Sequence, residues 1–96
     1  MQLMYAIAFD LDTAKLKQNY STPSHENAYG DVEKVLVKHG FKRQQGSVYY
    51  GDETINVVAT ILAVQDVSKT YAWFKPSVKD IRILQLLGND DLKPLL

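Results

Sequence analysis

An apolar run, Met4-Tyr5-Ala6-Ile7-Ala8-Phe9, stops abruptly at Asp10-Leu11-Asp12-Thr13. Carboxylates at the end of a buried strand are held rigidly by the sheet, while the loop that follows stays open to a substrate. An aspartate placed this way can act as a general base, a nucleophile or a metal ligand. Asp10 leads the candidates. Asp12 opens a predicted helical turn, where an aspartate ordinarily caps the backbone. Ser47 follows Gly46, and a hydroxyl beside a flexible glycine can bind an oxyanion or simply shape a turn. Asp80 has Lys79 and Arg82 within reach as ion-pair partners. His25 and His39 do not have metal-ligand spacing. His39 reads as a helix C-terminal residue, and His25 falls in a first turn, where positive charge is disfavoured.

The elements that must position these groups follow from periodicity. Residues 4–11 are nearly all apolar, as in a central strand covered on both faces. Asp12 or Thr13 caps a short turn through Lys15-Leu16-Lys17, and Thr22-Pro23 signals a helix start. Ala28, Val32, Val35 and Leu36 recur on one helical face, and His39-Gly40 ends that helix. Phe41 to Tyr50 favours extended backbone, with Gly46 marking either a bend or a hairpin turn. Residues 53–71 are β-branched but read as a helix: Glu53, Asn56, Thr60, Asp66 and Thr70 share one arc, and Ile55, Val58, Ala59 and Leu62 fall elsewhere. Asp52 is the expected cap. Lys75-Pro76-Ser77 breaks the chain, Val78–Leu87 forms the last long strand, and an apolar tail ends at Leu95-Leu96.

Helices on one face of a mainly antiparallel sheet give an α+β layer of ferredoxin-like type. A hairpin at 41–50 completes four strands; a single bent strand leaves the sheet one short, for a second copy to complete. Ninety-six residues make one domain, spanning 1–96. At this size a deep self-contained cavity is not expected. Eleven basic residues balance eleven acidic ones, so any nucleic-acid binding must come from a local patch. The absence of cysteine removes disulfides and thiolate chemistry and fits a reducing compartment. No apolar run approaches the ~20 residues that span a bilayer. A soluble, cytoplasmic protein is the expectation.

Asp10-x-Asp12-Thr13 resembles the nucleophile motif of haloacid-dehalogenase-type phosphatases over about ten residues. Thr13 departs from the glycine usual there, and this element order does not supply that family's doubly wound sheet. A wider pattern points elsewhere. Met4 to Asp12, Gly40-Phe41, Gln45-Gly46-Ser47-Val48-Tyr49 and Trp73-Phe74-x-Pro76-Ser77-Val78-Lys79-Asp80-Ile81-Arg82 together resemble the virulence-associated protein D (VapD) family, from Met4 to around Leu92. Met1-Gln2-Leu3 have no counterpart in that pattern.

The resemblance implies a ferredoxin-like homodimer, related to the small CRISPR-associated endoribonucleases, that cleaves RNA such as mRNA. Some members are the toxin of a toxin–antitoxin pair. It also implies a catalytic carboxylate at Asp10, with Ser47 and Asp80 beside it and Leu16 near the substrate. A carboxylate serves RNA cleavage as the base for a 2′-hydroxyl or as ligand to a divalent cation such as Mg. Lys42, Arg43, Lys75, Lys79 and Arg82 form a substrate-binding cluster if the second and last strands are neighbours. Tyr49, Tyr50, Trp73 and Phe74 can stack on unpaired bases, although core packing explains them as readily. A small antitoxin protein, if present, could dock on Leu92, Leu95 and Leu96. The alternative function is a dimeric ferredoxin-like module that binds RNA or protein and cuts nothing.

Overall fold

In the computed structural model, residues 3–20 and 27–96 are described. The helix start expected at Thr22-Pro23, and His25, lie outside them. Strand β1 (Met4–Leu11) leads into helix α1 (Thr13–Asn19), then α2 (Asn27–Lys38), β2 (Lys42–Gln45), β3 (Val48–Tyr50), α3 (Val57–Thr70), the short α4 (Phe74–Ser77) and β4 (Val78–Leu86). A 3₁₀ turn at Lys93–Leu95 closes the chain. The sheet order is β2-β3-β1-β4, and every neighbouring pair is antiparallel. The α+β expectation of ferredoxin-like type holds, and the 41–50 segment is a hairpin.

Local chemistry accounts for these boundaries. Asp12 caps α1, its Oδ1 accepting from the Lys15 N–H at 3.0 Å. Helix α2 ends in a Schellman motif: Gly40 and Phe41 donate to the carbonyls of Val37 and Leu36, each at 3.0 Å. Gly40 takes φ +90° there, a backbone that costs a residue with Cβ. Gly46, at φ +49°, makes the two-residue hairpin turn with Ser47. Lys75-Pro76-Ser77 does not break the chain into loop; these residues belong to α4, with Pro76 in its first turns, where no intrahelical N–H is required.

Two details differ from expectation. Asp52 does not cap α3; its Oδ1 accepts from the N–H of Thr54 at 2.8 Å and from its hydroxyl at 2.5 Å, closing a turn. Asn56 is the cap, accepting from the Ala59 N–H at 2.8 Å. Helix α3 also turns the opposite arc inward: Thr60, Ala63 and Val67 are buried, while Val58, Ile61 and Leu62 are exposed. Thr60 tolerates burial because its hydroxyl donates to the Asn56 carbonyl at 2.9 Å, which satisfies the polar group inside the helix.

The core sits between the helices and one sheet face. Ile7, Phe9 and Leu11 from β1 meet Leu16 of α1, Ala28, Val32, Val35 and Leu36 of α2, Ala63 and Val67 of α3, and Phe74 of α4. Phe9 is its aromatic hub, with ring centroids 6.0 Å from Tyr29, 6.1 Å from Tyr49 and 6.1 Å from Phe74. At the far end of α2, His39 Nε2 meets Asp66 Oδ2 at 2.7 Å, tying that helix to α3. That hydrogen bond is the main reason the Asp66 carboxyl lies below its ordinary range.

Side chains alternate across a strand, so Met4, Ala6, Ala8 and Asp10 of β1 point away from this core. Register places Tyr50 and Val48 of β3 beside Ala6 and Ala8. On the other side, Leu86, Leu84, Arg82 and Asp80 stand opposite Met4, Ala6, Ala8 and Asp10. This second face is apolar in its middle and charged at the Asp10 end.

Candidate active site

Three separated stretches of sequence converge on the C-terminal end of β1. Asp10 is exposed there and stands in register with Asp80 of β4. The pairing slips immediately afterwards, because Leu11 pairs with Val78 and Lys79 is left over. Such bulges twist a strand locally and re-aim neighbouring side chains. On the β3 side, Ser47 stands across from Phe9: the Phe9 N–H donates to the Ser47 carbonyl at 3.2 Å, and the Ser47 hydroxyl donates to the Phe9 carbonyl at 2.5 Å.

That last bond revises the role of Ser47. Its proton is committed to the backbone of the residue before Asp10, so Ser47 clamps the carboxylate's strand. Arg43 supports the same clamp, its Nε donating to the Gly46 carbonyl at 2.7 Å, while Nη1 meets Glu33 Oε1 at 3.2 Å. Ser47→Ala is expected to lower stability by about 1 kcal/mol, the size of one hydrogen bond. A thermal melt checks this, and an unchanged melting temperature would mean that the clamp does not hold the strand.

Asp80 is half-exposed and accepts from Arg82 Nε at 3.0 Å, so a guanidinium lies on the same face as both carboxylates. Asp12 is spent on capping, and its N–H donates to the Ser77 carbonyl at 2.8 Å, joining α1 to α4 beneath the site. Leu16, expected near the substrate, lies in the core at 2% exposure, where it anchors α1 and its side chain is out of a substrate's reach. His39 and Asp66 join α2 to α3 on the helix side of the sheet.

The expected basic cluster is divided. Strands β2 and β4 occupy opposite edges, three interstrand spacings or about 14 Å apart. Lys79 and Arg82 stand with Asp80, Lys75 lies on α4, and Arg43 is occupied in the hairpin. Lys42 pairs in register with Tyr50, at the end of the hairpin away from its turn. Of the aromatic candidates, Tyr49 and Phe74 are buried, whereas Tyr50 and Trp73 remain half-exposed. Burial first, then the charge of Glu33, pushes the Tyr49 phenol up, which keeps it neutral within the core. The Arg43 clamp on Gly46 leaves a single trace in the sequence, an arginine three residues before a turn glycine.

Asp10 and Asp80 are two carboxylates on one face, but among the described residues no group of three or more His, Cys, Asp or Glu could hold a metal ion. A divalent cation would fit the pair only with water or phosphate oxygens completing its shell.

The fold and site together define a class: a small ferredoxin-like α+β domain presenting, at the end of its central strand, a carboxylate unpaired among the described residues. No family model matches the chain. The chain is 44% identical over 93 residues to endoribonuclease VapD 2 of Riemerella anatipestifer, covering 97% of this chain and 99% of that relative. It is 47% identical over 93 residues to the endoribonuclease VapD homolog of Helicobacter pylori, covering 97% and 96%. Endoribonuclease VapD of Haemophilus influenzae is 38% identical over 86 residues, covering 86% and 87%. The chain belongs to the VapD endoribonuclease family.

Proposed function

We infer that this chain is an endoribonuclease whose catalytic base is Asp10. The observation that carries the assignment is an exposed carboxylate on a rigid central strand, with the Asp80–Arg82 pair on one side and the Ser47 clamp on the other. In this reading Asp10 takes the proton of a 2′-hydroxyl. The 2′-oxygen bonds to the adjacent phosphorus, the P–O5′ bond breaks, and the leaving 5′-oxygen takes a proton from water or from protonated Asp10. Arg82 offsets charge on the phosphate and Lys79 adds a cation at the bulge. A divalent cation such as Mg at the two aspartates would supply further charge neutralisation.

The test compares the protein with Asp10→Asn on end-labelled RNA, with and without a chelator. Cleavage by the wild type alone supports the assignment, and 2′,3′-cyclic phosphate ends support the 2′-hydroxyl route. Equal cleavage by both removes Asp10 from the mechanism. RNA binding without products would favour a module that cuts nothing.

The working unit in this reading is a homodimer. The face opposite the helices presents Val48, Tyr50, Leu84 and Leu86 in adjacent register positions, and Leu84 is 40% exposed. Stacking two copies through it covers the apolar centre. Leu84→Lys is expected to shift the mass in sedimentation velocity from dimer to monomer, and an unchanged mass would rule out this face. As in a toxin–antitoxin pair, a small antitoxin could dock on Leu92, Leu95 and Leu96, all exposed. RNA as substrate fits a cytoplasmic setting, and among the described residues no helix is long and apolar enough to cross a membrane.

A further inference from the structure

With the expected cationic cluster divided between the sheet edges, RNA must meet positive charge elsewhere. Three exposed lysines, Lys17, Lys69 and Lys75, sit in the last turn of α1, the last turn of α3 and in α4. Among the described residues none of them is in an ion pair. Each lies within three residues of a half-buried ring: Lys17 before Tyr20, Lys69 before Tyr71, Lys75 after Trp73.

Those rings form one cluster centred on Trp73. Its centroid is 5.0 Å from Tyr20 at 77° and 5.3 Å from Tyr71 at 34°. It also stands 6.1 Å from the buried ring of Phe74, which anchors it from below. The Tyr20 hydroxyl donates to Asp31 Oδ2 at 2.5 Å, fixing that ring against α2. Trp73, Tyr20 and Tyr71 each keep part of their surface in solvent.

The cluster stands at the same end of the sheet as Asp10. Helix α1 begins three residues after Asp10, and the Asp12 N–H to Ser77 carbonyl bond, 2.8 Å, holds α4 against that corner. From Trp73, one turn of α4 and three strand residues reach Asp80, a path of at most about 16 Å. At that separation an RNA held at Asp10 need extend only a few nucleotides to reach Trp73.

We propose that Trp73, flanked by Tyr20 and Tyr71, is a subsite that stacks one unpaired base of the RNA, with Lys17, Lys69 and Lys75 binding the adjoining phosphates. Stacking on aromatic rings combined with free cations is how single strands are held without reading their sequence. The proposal rests on the endoribonuclease reading and extends it to substrate positioning.

Trp73 is the only tryptophan in the chain, so its emission reports on this subsite directly. The probe is a short single-stranded RNA of mixed sequence, titrated into Asp10→Asn protein so that it is not consumed. Saturable quenching, with a midpoint that moves to higher RNA as salt rises, is expected; the same sequence as a duplex should quench less. In the otherwise wild-type enzyme, Trp73→Leu keeps the apolar packing and should raise KM by about five- to a hundredfold, the range one stacking contact carries. Its kcat should stay within about twofold, since the ring does not touch the reacting atoms. Lys69→Gln with Lys75→Gln should flatten the salt dependence by about 0.7 per lysine. Unchanged emission at RNA concentrations that the wild type cleaves, or an unchanged KM in a folded Trp73→Leu protein, would overturn the subsite. Cleavage by Asp10→Asn equal to wild type would overturn the catalytic assignment alone, and the KM of Trp73→Leu would still decide the subsite.

Discussion

Asp10→Asn is expected to lower the cleavage rate by about 10²–10⁴-fold, the range that removal of a positioned general base produces, while leaving the protein slightly more stable than wild type. The two effects have separate origins. The amide keeps the shape of the carboxylate but cannot take a proton at neutral pH, so the 2′-hydroxyl loses its base. Stability moves the other way because Asp10 and Asp80 face each other in register, and like charges directly opposite across a sheet are unfavourable by roughly 0.2–1 kcal/mol. Arg82 offsets part of this by pairing with Asp80 at 3.0 Å. Asp10 itself has no hydrogen bond or ion pair to lose among the described residues. Single-turnover cleavage and thermal melts on the same preparations check both directions. A fall in melting temperature of several degrees would show that Asp10 is a structural residue, and the rate loss would then have to be read as unfolding.

Phe9→Ala should be the most damaging single change to the fold, costing about 3–5 kcal/mol. A domain of this size has a total stability of about 5–15 kcal/mol, so most of the margin is removed. Phe9 is 5% exposed and contacts rings from three other elements, Tyr29 of α2, Tyr49 of β3 and Phe74 of α4. Truncating it leaves a cavity bounded by groups that belong to separate strands and helices and cannot all move inward together. The cost extends to the site, since the Phe9 carbonyl receives the Ser47 hydroxyl at 2.5 Å and the next residue is Asp10. Denaturant unfolding checks the magnitude. A loss below about 1 kcal/mol, in the range of surface substitutions, would mean that the aromatic hub is not what holds β1 in place.

The proposed aromatic subsite and the candidate catalytic carboxylate lie on different sides of the sheet. Asp10 and its partners look out from the face opposite the helices, whereas Trp73 belongs to the helix layer at the same end. A strand of RNA reaching both must pass around the sheet end, over the corner that the Asp12–Ser77 hydrogen bond holds closed.

What the sequence determined by itself was local. The apolar run of β1 ending in carboxylates, the helical stripe of Ala28, Val32, Val35 and Leu36, the Asp12 cap and the Gly40 stop are each written within a few consecutive residues, because capping and periodicity act over one or two turns. The tertiary structure decided which distant residues became neighbours. Strand order put Asp80 beside Asp10 and sent Lys42 to the far edge, and a hairpin turn swung the Ser47 hydroxyl onto the Phe9 carbonyl. Helix α3 turned Thr60 inward and Leu62 outward, against the reading of its polar arc. In each case packing against partners remote in sequence outweighed a local preference of a fraction of a kcal/mol, and such contacts exist only once the chain has closed.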